Sequence, residues 1–305
     1  MSTEGTAITG QLHSLIWGLK HRDYAVRQRA AEALVEIGAP AVPALREAAL
    51  HARYEVRQSA LSGLVRIGEP AVPVLCEVLE HKALDLHWVA ADALVRIGPP
   101  AVANLCQLLQ SPRWQVRSRV AEALGQIGDP SALGPLSAAL RDKRREVCLR
   151  ALEALAATGG EAAATCIAES MVEGWADLSV PREALVKIGP LAVPALRGLL
   201  EDTSWEVRGA AVAALGRIGD PQVVPDLAER LQCDPDLGVR WRAAEALGNI
   251  RDDGVVPALI EALDDPLPTV RIVVVDALEK LKDPQAVPAL NEKLDDPDAE
   301  VRSSA

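Results

Sequence analysis

Apolar residues along this 305-residue chain gather into short helical stripes that return at a fixed interval. Ile-Gly recurs at Ile37-Gly38, Ile67-Gly68, Ile97-Gly98, Ile127-Gly128, Ile188-Gly189 and Ile218-Gly219. Thr158-Gly159 fills the skipped register, and Ile250 and Leu281 continue it without the Gly, so each step is 30 to 32 residues. Eleven residues before these landmarks stand Val26, Val56, Leu86, Val116, Val147, Val207, Val239 and Val270, usually followed by Arg. A period of this length marks a solenoid of repeated supersecondary units.

Each unit reads as two helices. From Tyr24 to Ile37, the residues Val26, Ala30, Ala33, Leu34 and Ile37 recur at helical spacing and form one apolar face. Gly38 then ends the helix, because Gly accepts the positive φ that a helix terminus favours. Pro40 opens a shorter helix, where its missing N–H costs nothing, and Val42, Leu45 and Ala49 point inward. Pro43 lies close enough to that start to be tolerated. The same order returns at Pro70, Pro100, Pro130, Pro190, Pro221 and Pro284. A single pair cannot bury its own apolar faces, so neighbours must stack. The expected fold is all-α, a right-handed α-solenoid of about ten antiparallel helix pairs with an armadillo-type architecture. One domain spans 1–305, with regular repeats over 1–158, an irregular repeat over 159–189, regular acidic repeats over 190–305 and the last one truncated.

Composition agrees with helix-on-helix packing: 49% of residues are apolar, yet there is no Phe and only 3% are aromatic. Apolar runs are broken by Arg, Asp or Glu before membrane-spanning length, and Met1 to Gly10 lacks a basic start followed by an apolar stretch. Five cysteines, an odd number, argue for a reducing compartment, and the cytoplasm is expected. The net charge of −11 is uneven: residues 1–150 hold 18 Lys+Arg against 15 Asp+Glu, and the rest hold 14 against 28. Most of the chain should repel nucleic acid and anionic membrane, and the second half should attract a basic partner.

The short Pro-containing helix followed by Asp and then Val-Arg resembles HEAT repeats over nearly the whole chain, most of all the phycobilisome-lyase-type HEAT-like variety. The resemblance implies a ladder of inter-repeat hydrogen bonds between the Asp and the Arg six residues later, here Asp202–Arg208, Asp234–Arg240, Asp265–Arg271 and Asp296–Arg302. In the first half the Asp position holds His21, His51, His81 and Ser111, and the Arg position becomes His87 and Cys148. The ladder is therefore expected complete only in the later repeats. The resemblance also implies that the Val-Arg helix lines a concave face, and it suggests a subunit of a tetrapyrrole (bilin) lyase or another modifying enzyme as an alternative role.

The sixth repeat breaks the grammar. Gly159-Gly160 is a double breaker, Gly174-Trp175 sits at a turn, and Pro181 replaces an interior Ala. A helix restarting near Ser179 avoids a cost of about 3 kcal/mol for interior Pro, and a kink or widened groove is expected around 159–181.

On the Val-Arg helices one row reads Glu32, Ser62, Asp92, Glu122, Glu153, Glu183, Ala213, Glu245 and Asp276. Four residues on, the row is mostly basic or neutral, so acid-before-base pairs worth about 0.2–0.5 kcal/mol each can form along the helix. Trp88 and Trp241 share another row, and exposed Trp is enriched at binding hot spots. Together with Arg150 and Arg242, these define the expected partner-binding face: Glu32, Trp88, Asp92, Glu122, Arg150, Glu153, Trp241, Arg242, Glu245 and Asp276. Tyr24, Tyr54, Trp114 and Trp205 sit near helix starts and are expected to plug gaps between repeats. His21, His51 and His81 are too widely spaced for a shared zinc and are assigned to capping turns, and Cys76 and Cys106 are too far apart for an easy disulfide. No His-Glu dipeptide of the kind that holds di-iron in enzymes resembling deoxyhypusine hydroxylase occurs, nor a phosphate-binding Gly-rich loop, Gly-x-Ser-x-Gly or His-Glu-x-x-His. Arg113, Arg117, Arg119, Arg141, Lys143, Arg144, Arg145 and Arg150 form one basic cluster, a possible footprint for HEAT-like nucleic-acid binding that the surrounding charge disfavours. The reading is a non-catalytic scaffold with a protein partner on the concave face and no cofactor or metal.

Overall fold

The computed structural model describes residues 3–51, 53–81, 87–175, 177–250, 252 and 254–305, with side chains from residue 11 onward. Leu86, the expected counterpart of Val26, lies outside them. The described backbone is helical, punctuated by short 3₁₀ turns and without a strand. A helix Thr3–Leu19, which the period does not announce, precedes the repeats. The Val-Arg helices then follow as Tyr24–Ile37, Tyr54–Ile67, His87–Ile97, Trp114–Ile127, Arg145–Thr158, Ser179–Ile188, Trp205–Ile218, Leu237–Leu247, Pro268–Leu281 and Ala299–Ser304. A second helix links each to the next, usually a shorter one, though Gly160–Val172 before Ser179–Ile188 runs to 13 residues. Residues 1–158 and 159–305 form two compact units.

The junction inside a repeat follows from Gly and Pro. Gly38 takes φ +74°, and its N–H donates to Leu34 O at 3.1 Å. A 3₁₀ turn Ala39–Ala41 follows, and the second helix runs Val42–Ala49 with Pro43 in its first turn. Where the Gly is missing after Leu281, Lys282 itself adopts φ +55°. In the sixth repeat the Val-Arg helix begins at Ser179, and Pro181 sits in the first turn, where no intrahelical partner is required of it.

Within each unit the Val-Arg helices pack directly against one another, more closely than the shorter helices do. Small residues permit this. A Cβ on Gly125 would fall 2.6 Å from Ala154 Cα, and one on Gly216 would fall 2.4 Å from Ala246 Cβ. The Val-Arg helices are therefore the more tightly packed layer of each unit.

Arginines tie successive repeats together, though with a different pairing from the one the resemblance implied. Arg208 Nη1 donates to the backbone O of Asp202, at 2.9 Å, while Nε and Nη2 grip the carboxylate of Asp234 in the next repeat, both at 2.8 Å. Arg240 and Arg271 repeat the arrangement with Asp265 and Asp296. The Asp six residues before thus supplies its carbonyl, and the side-chain rung runs forward. A rung also exists in the first unit, where Arg117 grips Asp142 at 2.6 and 2.7 Å. The expectation that rungs are confined to later repeats is corrected: Asp142 occupies the acceptor position one repeat after Arg117. His87 and Cys148 keep the local half of the bond, donating to the carbonyls of His81 and Asp142. His21 and His51 keep the turn: their Nδ1 atoms accept from Asp23 N and Arg53 N, as Asp142 accepts from Arg144 N.

Three predictions follow from this packing. Arg208→Ala leaves the buried Asp234 carboxylate without its cation, and the expected loss is about 3 kcal/mol, read by urea denaturation. Arg208→Met with Asp234→Leu should recover most of it. Burial pushes the Asp234 carboxyl up, but Arg208 and the Asp236 N–H pull it further down, below the usual carboxylate range. Asp142 shows the same balance against Arg117. A carboxyl depressed on folding adds stability above its unfolded pKa of about 3.9 and loses that contribution as pH falls through the folded value. Stability should therefore be flat above about pH 5 in this respect and fall below about pH 4, with a shallower fall in Asp234→Asn. Gly216→Val forces a branched side chain into Ala246 and should cost at least about 1–3 kcal/mol, whereas Gly198→Ala, where a Cβ meets nothing within 4 Å, should not destabilise.

Candidate functional site

The row of acids on the Val-Arg helices is solvent-facing because the helix turns these positions away from the packed Ala and Leu stripe. Glu32, Asp92, Glu153, Glu245 and Asp276 are exposed, and Glu122 is half-buried. Trp88 is 53% and Trp241 38% exposed. Arg150 is exposed and Arg242 half-buried. These residues share the Val-Arg helices but fall in separate units: Glu32, Trp88, Asp92, Glu122, Arg150 and Glu153 in the first, Trp241, Arg242, Glu245 and Asp276 in the second.

In the first unit Trp88, Asp92, Arg119, Glu122 and Gln126 line a shallow recess of about 180 Å³ between adjacent Val-Arg helices. The charges pair differently from the acid-before-base scheme. Arg119 donates to Glu122 at 2.7 Å and Arg150 to Glu153 at 2.6 Å, each three residues ahead on the same helix. Glu183 is engaged by Arg217 of the next repeat, which together with Arg182 holds its carboxyl below the usual range. Lys280 donates to Asn249 across repeats. The observed arginine pairs run three residues forward on the same helix or to the neighbouring repeat, not along the expected row.

The aromatic residues at helix starts are surface groups, which corrects their assignment as gap-fillers. Tyr24 is 65%, Tyr54 54% and Trp205 42% exposed, and Trp114 is half-buried. The Val two residues later is buried after Tyr54, Trp114 and Trp205 and half-buried after Tyr24, and an arginine lies over each first-turn ring: Arg27 on Tyr24, Arg57 on Tyr54, Arg144 on Trp114 and Arg242 on Trp205, at 5.7 to 5.9 Å from the ring centres.

The basic cluster of the first unit is largely engaged by the protein itself. Arg113 donates to the carbonyls of Glu80 and His81, Arg117 binds Asp142, and Arg119 and Arg150 bind glutamates. Lys143, Arg144 and Arg145 are exposed, with Arg144 lying over the Trp114 ring. Among the described residues no group of three or more His, Cys, Asp and Glu is placed to hold a metal ion. Burial pushes the Cys76 thiol up to about 12, which leaves it protonated and inert. No described helix is long and apolar enough to cross a membrane.

The family model for HEAT repeats matches residues 12–95, 102–186, 182–241 and 229–305. The chain belongs to the HEAT-repeat family. Among solved structures, it is similar to the karyopherin Kap121p bound to the extreme C-terminus of the protein phosphatase Cdc14p, with 15% identity, TM-score 0.57, and coverage of 96% of this chain and 40% of that one. It is similar also to importin beta, with 15% identity, TM-score 0.51, and coverage of 95% and 49%. The chain therefore spans less than half the length of these karyopherins. Human deoxyhypusine hydroxylase is 25% identical over 88% of this chain and 94% of its own, but at a TM-score of 0.35 it carries no argument about activity. A comparison with curated proteins finds no match.

Proposed function

We propose that this protein is a non-catalytic scaffold that holds a protein partner against the face formed by its Val-Arg helices. The observation that carries the reading is the exposure of Trp88 and Trp241 beside a row of unburied carboxylates. Trp on a helix face has large area to lose from water and few rotamers to freeze, which makes it an efficient anchor. The carboxylates favour a basic partner and add on-rate and orientation more than affinity. Kap121p, a solenoid of similar fold, is seen bound to a segment of Cdc14p and to Nup53p, and holding protein segments is the use proposed for the solenoid here.

The test is affinity capture from the native host, identification of the captured protein, and titration of the purified pair. Trp88→Ala or Trp241→Ala should weaken binding by about tenfold or more, with helical content and melting unchanged. Raising ionic strength should slow association. Normal binding by both variants would show that this face is not the site.

A further inference from the structure

A cleft of about 560 Å³ opens in the second unit where the sixth repeat leaves the period; Met171, Trp175, Arg182, Trp205, Ala210 and Arg242 are among the residues that line it. Its origin is a missing turn. The Val-Arg helix Trp205–Ile218 has 14 residues, whereas Ser179–Ile188 has only 10. The shortened helix leaves Trp175 in the turn before it, on the cleft wall with Trp205 of the next helix start. Gly174, at φ +108°, turns the chain there. Trp175 is then fixed by its Nε1–H donating to Ser170 Oγ at 3.1 Å.

Two guanidinium groups face this space. Arg242 Cζ lies 5.8 Å from the centre of the Trp205 ring, and its side chain passes beside Gly209, where a Cβ would sit 3.4 Å from Arg242 Cδ and Nη1. One of its donors is used, Nη1 to the backbone O of Gly238 at 2.8 Å. Arg182 is less well served. Its Nε is buried without a hydrogen-bond partner. Its Nη2 reaches Glu183 Oε1 only at 3.3 Å, and that oxygen also accepts from Arg217. A bound carboxylate would compete with Glu183 for the loosely held Nη2 and give it a charge-assisted partner. The two carboxylates of the cleft serve helix starts: Asp177 Oδ1 accepts from Ser179 N, and Glu206 accepts from Ser204 Oγ. Ser179 and Ser204 add polar atoms to the lining, Met171, Trp175, Leu178, Trp205 and Val207 supply apolar wall, and the volume falls in the range of small-ligand sites, about 300–1,000 Å³.

We propose that this cleft binds a carboxylate carried on an apolar body, with Arg182 and Arg242 holding the carboxylate and Trp175, Trp205 and Met171 covering the body. The planar fork of a guanidinium matches a carboxylate with two parallel hydrogen bonds, and two indoles supply rigid apolar walls at low entropic cost. The C-terminus of a peptide ending in a hydrophobic residue and a free aliphatic acid share this chemistry. Arg242 also belongs to the proposed partner face, whereas Arg182 lies outside it, so substitution of Arg182 tests the cleft apart from the scaffold reading.

The experiment is a tryptophan-fluorescence titration of the full chain with acetyl-leucyl-leucine as the free acid, with the same dipeptide as its C-terminal amide, and with hexanoate. The free acid should saturate with a Kd of about 1 mM or tighter, and the amide should bind at least about tenfold more weakly. Arg182→Gln should weaken the free acid by about tenfold, with circular dichroism and melting unchanged. Hexanoate binding as well as the dipeptide would identify free acids as the class; binding of the dipeptide alone would identify chain termini. Equal binding of acid and amide, no saturation by any probe up to about 10 mM, or unimpaired binding by a folded Arg182→Gln would each overturn the proposal. The acid–amide comparison on the unaltered protein decides the matter even if the variant does not fold.

Discussion

Every helix pair in this protein presents an apolar face that only its neighbour in sequence can cover. That dependence explains why Leu34, Leu64, Leu94, Leu124 and Leu155, one per repeat, are fully buried, and why the chain keeps its period so strictly. The stack has no centre, only a series of similar interfaces, so stability is a sum of nearest-neighbour terms. Arginine adds direction to that sum. By holding its own turn through a carbonyl and the next turn through a carboxylate, Arg208 or Arg240 fixes how far one repeat is rotated against the following one. Such pairs specify geometry more than they stabilise, since both charges must first leave water.

Much of the fold was legible in the residues because each repeat restates the same instruction. Ile-Gly marked helix ends, Pro marked helix starts, and a Pro displaced to position 181 moved the helix start to Ser179. The opening helix Thr3–Leu19 was not visible, having no Ile-Gly or Val-Arg signature to compare with. The rung between Arg117 and Asp142 was missed because substitutions at Ser111 and Cys148 on either side made the repeat look incomplete. Pairing runs forward by 25 residues here, whereas the resemblance pointed to partners six apart.

The surface was harder to read than the core. Periodicity distinguishes packed from unpacked positions, so Trp88 and Trp241 could be placed on an open face. It does not say what a side chain does once outside, and first-turn rings were mistaken for filler when they act as platforms for arginine. The cleft beside Trp205 brings together three departures that look unrelated in the linear sequence: Gly174 at a turn, a late helix start and Gly209 in a row otherwise held by larger residues. Gly209 was the available signal. Only in three dimensions do these departures converge on Arg182 and Arg242.

The glycines at 125, 216 and 248 stand two residues before their landmark Ile, where Val35, Val65, Val95 and Val186 stand in other repeats. At the glycines one helix backbone rests almost directly on the next; at the valines a branched side chain is interposed. Under a bending load the two kinds of joint differ in compliance, because backbone-to-backbone contact has no rotamer to give, while a valine joint can shift its packing. Each unit is thus a spring with uneven stiffness along its length, set one residue per coil.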